Sequence, residues 1–116
     1  MTDGEYRTLI YRYVAAIPAG RVATFGLLAA LCGNPREARR SARAVARAPE
    51  GLPCHRVVRS GGALVPEDVF GPGEQRARLL SEGVAFLGNG HVDLKEHLWR
   101  IEDAHAAVGM PLDEPG

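Results

Sequence analysis

The apolar residues of this 116-residue chain recur mostly at helical spacing, and Gly, Pro and Asn residues separate the runs. The first run consists of Tyr6, Leu9, Ile10, Tyr13, Val14 and Ile17. Residues three and four apart share one face of an α-helix, so this spacing predicts an amphipathic first helix. The preceding TDGE has the form of a capping box, in which the side chains of Thr2 and Glu5 bond to early backbone amides. We expect this helix to end before Pro18 and Gly20.

Two further helical runs follow in quick succession. Thr24 can cap a short helix over FGLLAALC, which Gly33 ends. After GNP, Pro35 suits the first position of a third helix that runs from about Arg36 to Ala48. Two short helices joined by a tight, Gly-containing turn have the outline of a helix-turn-helix.

The second half of the chain alternates short apolar runs with turn residues. HRVVRSGGALV predicts two short strands around a Ser-Gly-Gly turn, and VAFLGNGHVDL predicts a hairpin that turns at Asn89-Gly90. EQRARLLSEGV predicts a helix that stops at Gly83, and LKEHLWRIEDA predicts a last short helix. We therefore expect a mainly α, winged-helix-like domain over residues 1–102, with a helix-turn-helix and a small two- to three-stranded β element. Residues 103–116 are predicted to form a flexible C-terminal tail.

Composition places the chain among ordinary globular proteins, but its charge is unevenly distributed. No run of eighteen apolar residues exists and the N-terminus lacks the pattern of a signal peptide, so we expect a cytoplasmic protein. The formal net charge is 0, yet the segment from Arg36 to Arg59 holds seven arginines and two acids, a local charge of +5. Lys95 is the only lysine. A neutral protein with one arginine-dense segment favours a local contact with an anionic partner.

The predicted third helix carries most of this charge. Its arginines are Arg36, Arg39, Arg40, Arg43 and Arg47, which helical spacing places in one stripe, with small residues such as Ala38 and Ala42 on the remaining surface. An alanine-rich helix lets its backbone approach another surface closely, which suits a groove of nucleic acid. A solvated basic face is the alternative, and the helix-turn-helix context favours DNA.

Cys54 raises a separate question, because it can be a nucleophile, a metal ligand or a packed core residue. A thiol that attacks carbon needs a base or a positive field nearby. His55 is adjacent, and Pro53 favours a turn that would let the two side chains cooperate. Glu82 is the natural carboxylate to orient the imidazole. By sequence statistics alone a buried structural cysteine is the commoner outcome, as we expect for Cys32.

The remaining cysteine and histidine chemistry is sparse. The two cysteines form no CxxC pair, and we expect free thiols in a reducing compartment. His91, His97 and His105 show no metal-ligand spacing with either cysteine, so no metal site is expected.

Several motifs together resemble one family. IPAGRVATFGLLAALCGNP, PEGLPCHRVV, GGAL, LLSEGVAF and GHVDLKEHLW resemble, in the same order, the active-site domain of O6-alkylguanine-DNA alkyltransferases. They resemble still more closely the short alkyltransferase-like proteins. The match runs from about Glu5 to Trp99, and PCHRV with a downstream EG is its most specific part. The resemblance implies a winged-helix-like α domain that needs no cofactor.

The resemblance also implies roles for individual residues. The helix-turn-helix would enter the minor groove, and an arginine finger would replace a guanine that is flipped into a pocket. The finger falls on Arg39 without gaps, and Arg43 is the second choice. Cys54 would be the alkyl acceptor, His55 its base through a water and Glu82 the orienting acid, with Arg56 structural beneath them. The other implied DNA contacts are Arg36, Arg40, Arg47, Thr24, Phe25 and Ala42. The lesion pocket would be lined by Pro53, Cys54, Val65, Val69 and Phe70.

The chain also departs from the family pattern. Alkyltransferase-like proteins usually carry Trp or Ala where this chain keeps Cys54. The tyrosine that presses on the phosphate of the lesion is Phe25 here, and Ala48 or Pro49 replaces the hinge asparagine. VPEDVFGPGEQ replaces the loop that holds the substrate base. The nucleophile thus matches the enzymatic branch, whereas the lesion-binding parts match the non-enzymatic branch.

The resemblance implies a monomeric DNA-repair protein that binds double-stranded DNA containing O6-alkylguanine and associates with the nucleoid when bound. Whether Cys54 accepts the alkyl group, as in a single-turnover methylated-DNA–protein-cysteine methyltransferase, stays open, and excision-repair proteins are the expected partners if it does not. A winged-helix DNA-binding regulator without lesion preference is the alternative function. A Cys-His hydrolase is disfavoured because no oxyanion-hole motif is present.

Overall fold

The computed structural model describes residues 1–109. The first helix, α1, spans Asp3–Ala16 and is capped as predicted, since Thr2 Oγ1 accepts from Glu5 N at 3.1 Å and Glu5 Oε1 accepts from Thr2 N at 2.7 Å. Its apolar face is the centre of the main core, where Tyr6, Ile10 and Val14 are each at most 2% exposed. The predicted first helix is therefore confirmed.

The helix-turn-helix is present, although its second helix differs from the prediction. Helix α2 spans Phe25–Leu31 and is capped by Thr24, whose Oγ1 accepts from Leu27 N at 3.0 Å. A 3₁₀ turn at Pro35–Glu37 precedes helix α3, Ala38–Ala46. The prediction of one α-helix from Arg36 to Ala48 was too long, because the Asn34 side chain bonds Arg36 N and tightens the first turn.

The two strands are very short and pair in a way that the sequence did not predict. Strand β1, Ala23–Thr24, lies parallel to strand β2, Val57–Val58, with Ala23 opposite Val57. Alternate side chains point to opposite sides of such a pair. Val57 accordingly packs in the main core around α1, whereas Val58 packs in a second cluster with Leu79 and Val92. The strand pair thus contributes to both apolar clusters, and Cys54, just before β2, packs against the main core.

Of the two strands predicted around Ser-Gly-Gly, the first is present as β2, and the prediction of the second was wrong. Ser60–Gly62 forms a 3₁₀ turn with both glycines at positive φ, and the chain beyond it does not return along β2. Gly62 O instead accepts from Val92 N at 2.9 Å. A Cβ on Gly62 would lie 2.5 Å from Val92 O, so only glycine allows this close approach of the two backbones.

Residues 67–92 form two helices and one isolated β-bridge. Helix α4, Glu67–Phe70, was not predicted and lies within the loop VPEDVFGPGEQ. Helix α5, Glu74–Ser81, ends near Gly83 as predicted. The expected hairpin around Asn89-Gly90 is reduced to a single antiparallel bridge between Phe86 and Val92.

The predicted last helix is broken in two. Helices α6, Leu94–His97, and α7, Ile101–Val108, flank an extended segment. In that segment Leu98 forms a parallel bridge with Val22, and Trp99 is 3% exposed in the main core. At the break Trp99 N donates to Val22 O at 2.8 Å instead of continuing the helical pattern.

Helix α7 overlaps the start of the C-terminal tail that the sequence predicts at residue 103. Its Ala104 is 0% exposed, and Val108 packs against the main core, so the boundary at residue 102 cuts through a packed helix. The rest of the predicted tail, from residue 110, lies outside the described residues. In residues 1–109 no helix is long and apolar enough to cross a membrane.

Candidate lesion-binding site and DNA interface

Cys54 and His55 lie in a tight 3₁₀ turn, Cys54–Arg56, that directly precedes β2. Pro53 is its N-cap, and Pro53 O accepts from Arg56 N at 2.9 Å. Successive residues in such a turn do not alternate between opposite faces as they do in a strand. The turn that the sequence suggested after Pro53 is therefore present.

Glu82 joins this turn from the C-terminal end of α5. Its Oε2 lies 2.9 Å from His55 Nε2, and the Arg56 guanidinium donates to Oε1 at 3.0 Å and to Oε2 at 2.7 Å. Arg56 also donates to Ile17 O at 2.8 Å, which ties the cluster to the end of α1. The hydrogen bonds from Arg56, followed by that from His55, lower the pKa of the Glu82 carboxyl to about 2.

The ionisation of Glu82 fixes the role of each His55 nitrogen. An ionised carboxylate only accepts hydrogen bonds, so His55 Nε2 carries a hydrogen, and the neutral tautomer that fits this contact has its lone pair on Nδ1. Nδ1 is thus the atom that can take a proton. Among the described residues, no hydrogen bond joins the His55 ring to Cys54, so the predicted role of His55 as a base requires a bridging molecule such as water.

Burial also affects the pKa of Cys54, the neighbour of His55 in the turn. Partial burial of Cys54 in apolar surroundings raises the pKa of its thiol, because the thiolate loses hydration. Burial therefore favours the thiol form of Cys54 over the thiolate. Cys32 is also partly buried, its pKa is raised to about 11 by desolvation, and both cysteines are free.

Gln75 is a positioning residue that the sequence did not single out. It is 5% exposed, and its amide donates to His55 O at 3.1 Å and to Val57 O at 3.0 Å. Its Oε1 accepts from Val65 N at 2.9 Å. One buried side chain thus clamps the Cys54 turn to the segment after the 3₁₀ turn at Ser60–Gly62. A polar residue at a buried position of α5 is the only signal that could have found it.

An open cleft of about 780 Å³ lies beside Cys54, which we call the Cys54 cleft. This volume is in the range of small-molecule sites. One wall comes from α3 and the loop that follows it, and the other from the segment 65–70. Of the predicted pocket residues, the cleft is lined by Cys54, Val65, Val69 and Phe70. Pro53 is not among the lining residues and instead caps the turn.

A second concavity of about 590 Å³, the Arg39 groove, lies along the N-terminal ends of α2 and α3. Of the predicted DNA contacts, it is lined by Thr24, Phe25, Arg39 and Ala42. Arg39 is exposed, and small side chains such as Ala38 and Ala42 leave room beside it. The groove therefore joins a cation to a helix surface of low bulk, as the sequence predicted for a DNA contact.

The predicted single arginine stripe is divided by the packing of α3. Arg40, Arg43 and Arg47 line a smaller depression of about 170 Å³ with Asp3, Tyr6 and Arg7, on the side of α1. Arg40 pairs with Asp3 at 2.7 Å and stacks 3.9 Å from the centre of the Tyr6 ring. Its guanidinium is thus engaged within the protein, and its expected DNA contact stays a prediction. Arg36 is exposed and lines neither concavity.

A buried hydroxyl holds α3 against α2. Ser41 is 0% exposed. Its hydroxyl group is within hydrogen-bond distance of two carbonyl acceptors, Phe25 O at 2.7 Å and Ala38 O at 2.8 Å. Tyr11 donates to Ala44 O at 2.8 Å from the side of α1. These bonds fix the orientation of Arg39 relative to the Cys54 cleft.

The fold and the site define a class: a helix-turn-helix DNA-binding domain with a cleft beside a cysteine that has a His-Glu pair behind it. Residues 5–84 match the family model described as 6-O-methylguanine DNA methyltransferase, DNA binding domain. The chain belongs to this family.

Relatives within the family include proteins with other names. The DNA base-flipping protein of Escherichia coli K12 is 45% identical over 101 residues, which cover 84% of this chain and 76% of that protein. Alkyltransferase-like protein 1 of Schizosaccharomyces pombe is 38% identical over 107 residues, covering 86% of this chain and 99% of that protein. The crystal structure of S. pombe Atl1 with damaged DNA containing O6-carboxymethylguanine superposes with a TM-score of 0.72 at 32% identity, covering 86% of this chain and 99% of that chain. The predicted fold class and family resemblance are confirmed.

Proposed function

We propose that this protein recognises damaged DNA by binding an O6-alkylguanine, flipped out of the duplex, in the Cys54 cleft. The observation that carries the proposal is that the Arg39 groove adjoins the cleft, since Phe25, Ala42 and Arg59 line both. The relative from E. coli is named a base-flipping protein, and the S. pombe structure holds damaged DNA. A base must leave the stack before a protein can enclose its O6 substituent.

In this proposal α3 enters the minor groove through its alanine-rich surface. Arg39 is the finger that takes the place of the extruded guanine, because it is the arginine of α3 that lines the groove next to the cleft. Thr24 Oγ1 accepts from Leu27 N, which leaves its hydroxyl hydrogen to donate to a phosphate. The apolar side chains Val65, Val69 and Phe70 enclose the alkyl group.

A specific observation favours a second activity at the same cleft, acceptance of the alkyl group by Cys54. Glu82 holds His55 with Nδ1 free to take the thiol proton. The sulfur then forms a bond to the alkyl carbon, the bond between that carbon and O6 breaks, and guanine leaves with its electron pair and takes up a proton. The alkyl group stays on sulfur, so each molecule would act once.

Intact mass separates the two activities. The protein is incubated with a duplex containing O6-methylguanine and then weighed. A gain of one methyl group that Cys54→Ala abolishes establishes transfer. An unchanged mass together with preferential binding establishes recognition alone.

A binding comparison tests recognition itself. We expect tighter binding to the O6-methylguanine duplex than to the same duplex with guanine, because only the lesion places an alkyl group in the cleft. Equal affinity for the two duplexes would contradict the proposal and favour a winged-helix regulator without lesion preference.

The partners follow from the outcome of these tests. A monomer that encloses a lesion without removing it passes the lesion to excision-repair proteins, and it resides on the nucleoid while it is bound. Capture of such proteins only in the presence of the lesion duplex, compared with an unmodified duplex, tests this part of the proposal.

A further inference from the structure

Three residues line both the Cys54 cleft and the Arg39 groove: Phe25, Ala42 and Arg59. They mark the junction of the two concavities. A nucleotide with its base in the cleft and its neighbours along the groove must turn its backbone at this junction. Of the three side chains, Arg59 alone has hydrogen-bond donors.

Short hydrogen bonds hold Arg59 in place. It directly follows β2, and its backbone N–H donates to Ala63 O at 2.8 Å. Its Nε donates to Leu64 O at 2.9 Å, so the guanidinium is tethered across its own loop. This tether uses one edge of the guanidinium and leaves the two Nη groups as a fork that suits a phosphate.

The charges around Arg59 also favour binding of a phosphate. In residues 1–109 no carboxylate forms an ion pair with Arg59, and the residue is exposed. Arg78, the other arginine that lines the Cys54 cleft, pairs with Glu74 at 2.9 Å. The cleft therefore presents one tethered cation without a carboxylate partner, and that cation stands at the junction.

We propose that Arg59 is a positioning residue that binds a phosphate flanking the flipped nucleotide. The inference rests on the proposed function, because it assigns the backbone contact of the same extruded base. The contact forms only when the backbone turns from the groove into the cleft, so it stabilises the extruded state over the stacked state. Preorganisation by the Leu64 tether reduces the side-chain entropy lost on binding.

Neutralising one phosphate at a time tests the proposal. The probes are duplexes with O6-methylguanine that carry a methylphosphonate at one of the two phosphates flanking the lesion, alongside the all-phosphate duplex. At one of these two positions we expect the wild-type protein to lose affinity about tenfold or more, as for loss of a charge-assisted hydrogen bond. For Arg59→Gln, the same methylphosphonate should lower affinity by less than about twofold, because the guanidinium that binds this phosphate is already absent from the variant.

Arg100→Gln is the matched control, because Arg100 is an exposed arginine whose side chain is 71% accessible and lines neither concavity. This variant should keep the wild-type sensitivity to methylphosphonate. Thermal unfolding of Arg59→Gln shows whether the variant is folded. The comparison of the methylphosphonate and all-phosphate duplexes with the wild-type protein does not depend on that variant.

Two outcomes would overturn the inference: insensitivity of the wild-type protein at both positions, or equal sensitivity of wild type and Arg59→Gln. Neither affects the proposed function if the wild-type protein still prefers the lesion duplex over the unmodified one. Loss of that preference would instead contradict the proposed function, whatever the methylphosphonate shows.

Discussion

Glu82 is the residue that joins His55 and Arg56 behind Cys54. Its carboxylate accepts two hydrogen bonds from Arg56 and one from His55, and its side chain is 16% exposed. The same carboxylate therefore stabilises the fold and sets the tautomer of the imidazole. Removal of its charge should change both properties.

We expect Glu82→Gln to lower the free energy of unfolding by about 2–4 kcal/mol at neutral pH, because it leaves the Arg56 guanidinium without its partner. The folded pKa of Glu82 is about 2, below its ordinary value of 4.5. A lowered pKa stabilises the fold fully above about pH 4.5, and this contribution is lost as the pH falls toward about 2. The difference between wild type and variant should shrink over that range in urea unfolding.

Glu74→Gln is the control on the same helix, because the Glu74–Arg78 pair is exposed and worth about 0.5 kcal/mol or less. A difference between wild type and Glu82→Gln that stays constant down to pH 2 would contradict the assigned ionisation.

Arg39 and Arg43 differ in position although both lie on α3. Arg39 lines the groove beside the Cys54 cleft, whereas Arg43 lines the depression next to α1. Arg39→Ala should therefore weaken binding to the O6-methylguanine duplex about tenfold or more, and Arg43→Ala about threefold or less. Fluorescence anisotropy measures both, and the reverse ranking would identify Arg43 as the finger.

At the scale of elements, close backbone approaches hold the short segments together, since the strands contain only two residues each. Gly62 allows the loop after β2 to contact the backbone of Val92, and Gln75 ties the same region to the Cys54 turn. These contacts replace the long ladders that stabilise larger sheets. A larger side chain at such a contact should lower the free energy of unfolding.

Gly62→Ala and Gly51→Ala form a matched pair that tests this point. Both glycines have positive φ, 92° and 99°, so both variants carry similar backbone strain of about 1 kcal/mol. At Gly62 the new Cβ would also meet Val92 O at 2.5 Å, whereas nothing lies within 4 Å at Gly51. We expect Gly62→Ala to lower the free energy of unfolding by about 3 kcal/mol or more, about 2 kcal/mol beyond Gly51→Ala. Equal losses in urea unfolding would contradict the close approach.

For the whole molecule, the arrangement of charge matters more than its total. The formal net charge is 0, yet Arg39 lies in the groove and Arg59 at its junction with the cleft. Other arginines are occupied within the protein, as Arg40 is by Asp3 and Arg56 by Glu82. A neutral protein can therefore bind DNA through one small basic surface.

This arrangement predicts a moderate dependence of DNA binding on salt. Each neutralised phosphate contributes a slope of about −0.9 to the logarithm of affinity against the logarithm of salt concentration. With two to four phosphates contacted, we expect a slope between about −2 and −4 for both lesion and unmodified duplexes. The preference for the lesion should fall with salt by no more than the slope of one phosphate, about −0.9, because only the Arg59 contact depends on extrusion of the base. A slope near zero would contradict a phosphate-binding surface.

The sequence by itself determined the elements whose signals are local. The apolar spacing and capping box of α1, the Thr24 cap of α2 and the turn after Pro53 all depend on bonds within about four residues, and all are present. The motifs around Cys54, His55 and Glu82 also identified the family, which the family model confirms.

Only the tertiary structure decided the contacts between distant segments. The parallel pairing of β1 with β2, the break before Trp99 and the clamp by Gln75 each join residues far apart in the chain. Local propensity carries no information about such partners, since burial against another segment sets them. For the same reason helical spacing predicts one stripe of arginines, whereas packing against α1 pairs Arg40 with Asp3 and leaves Arg39 in the groove.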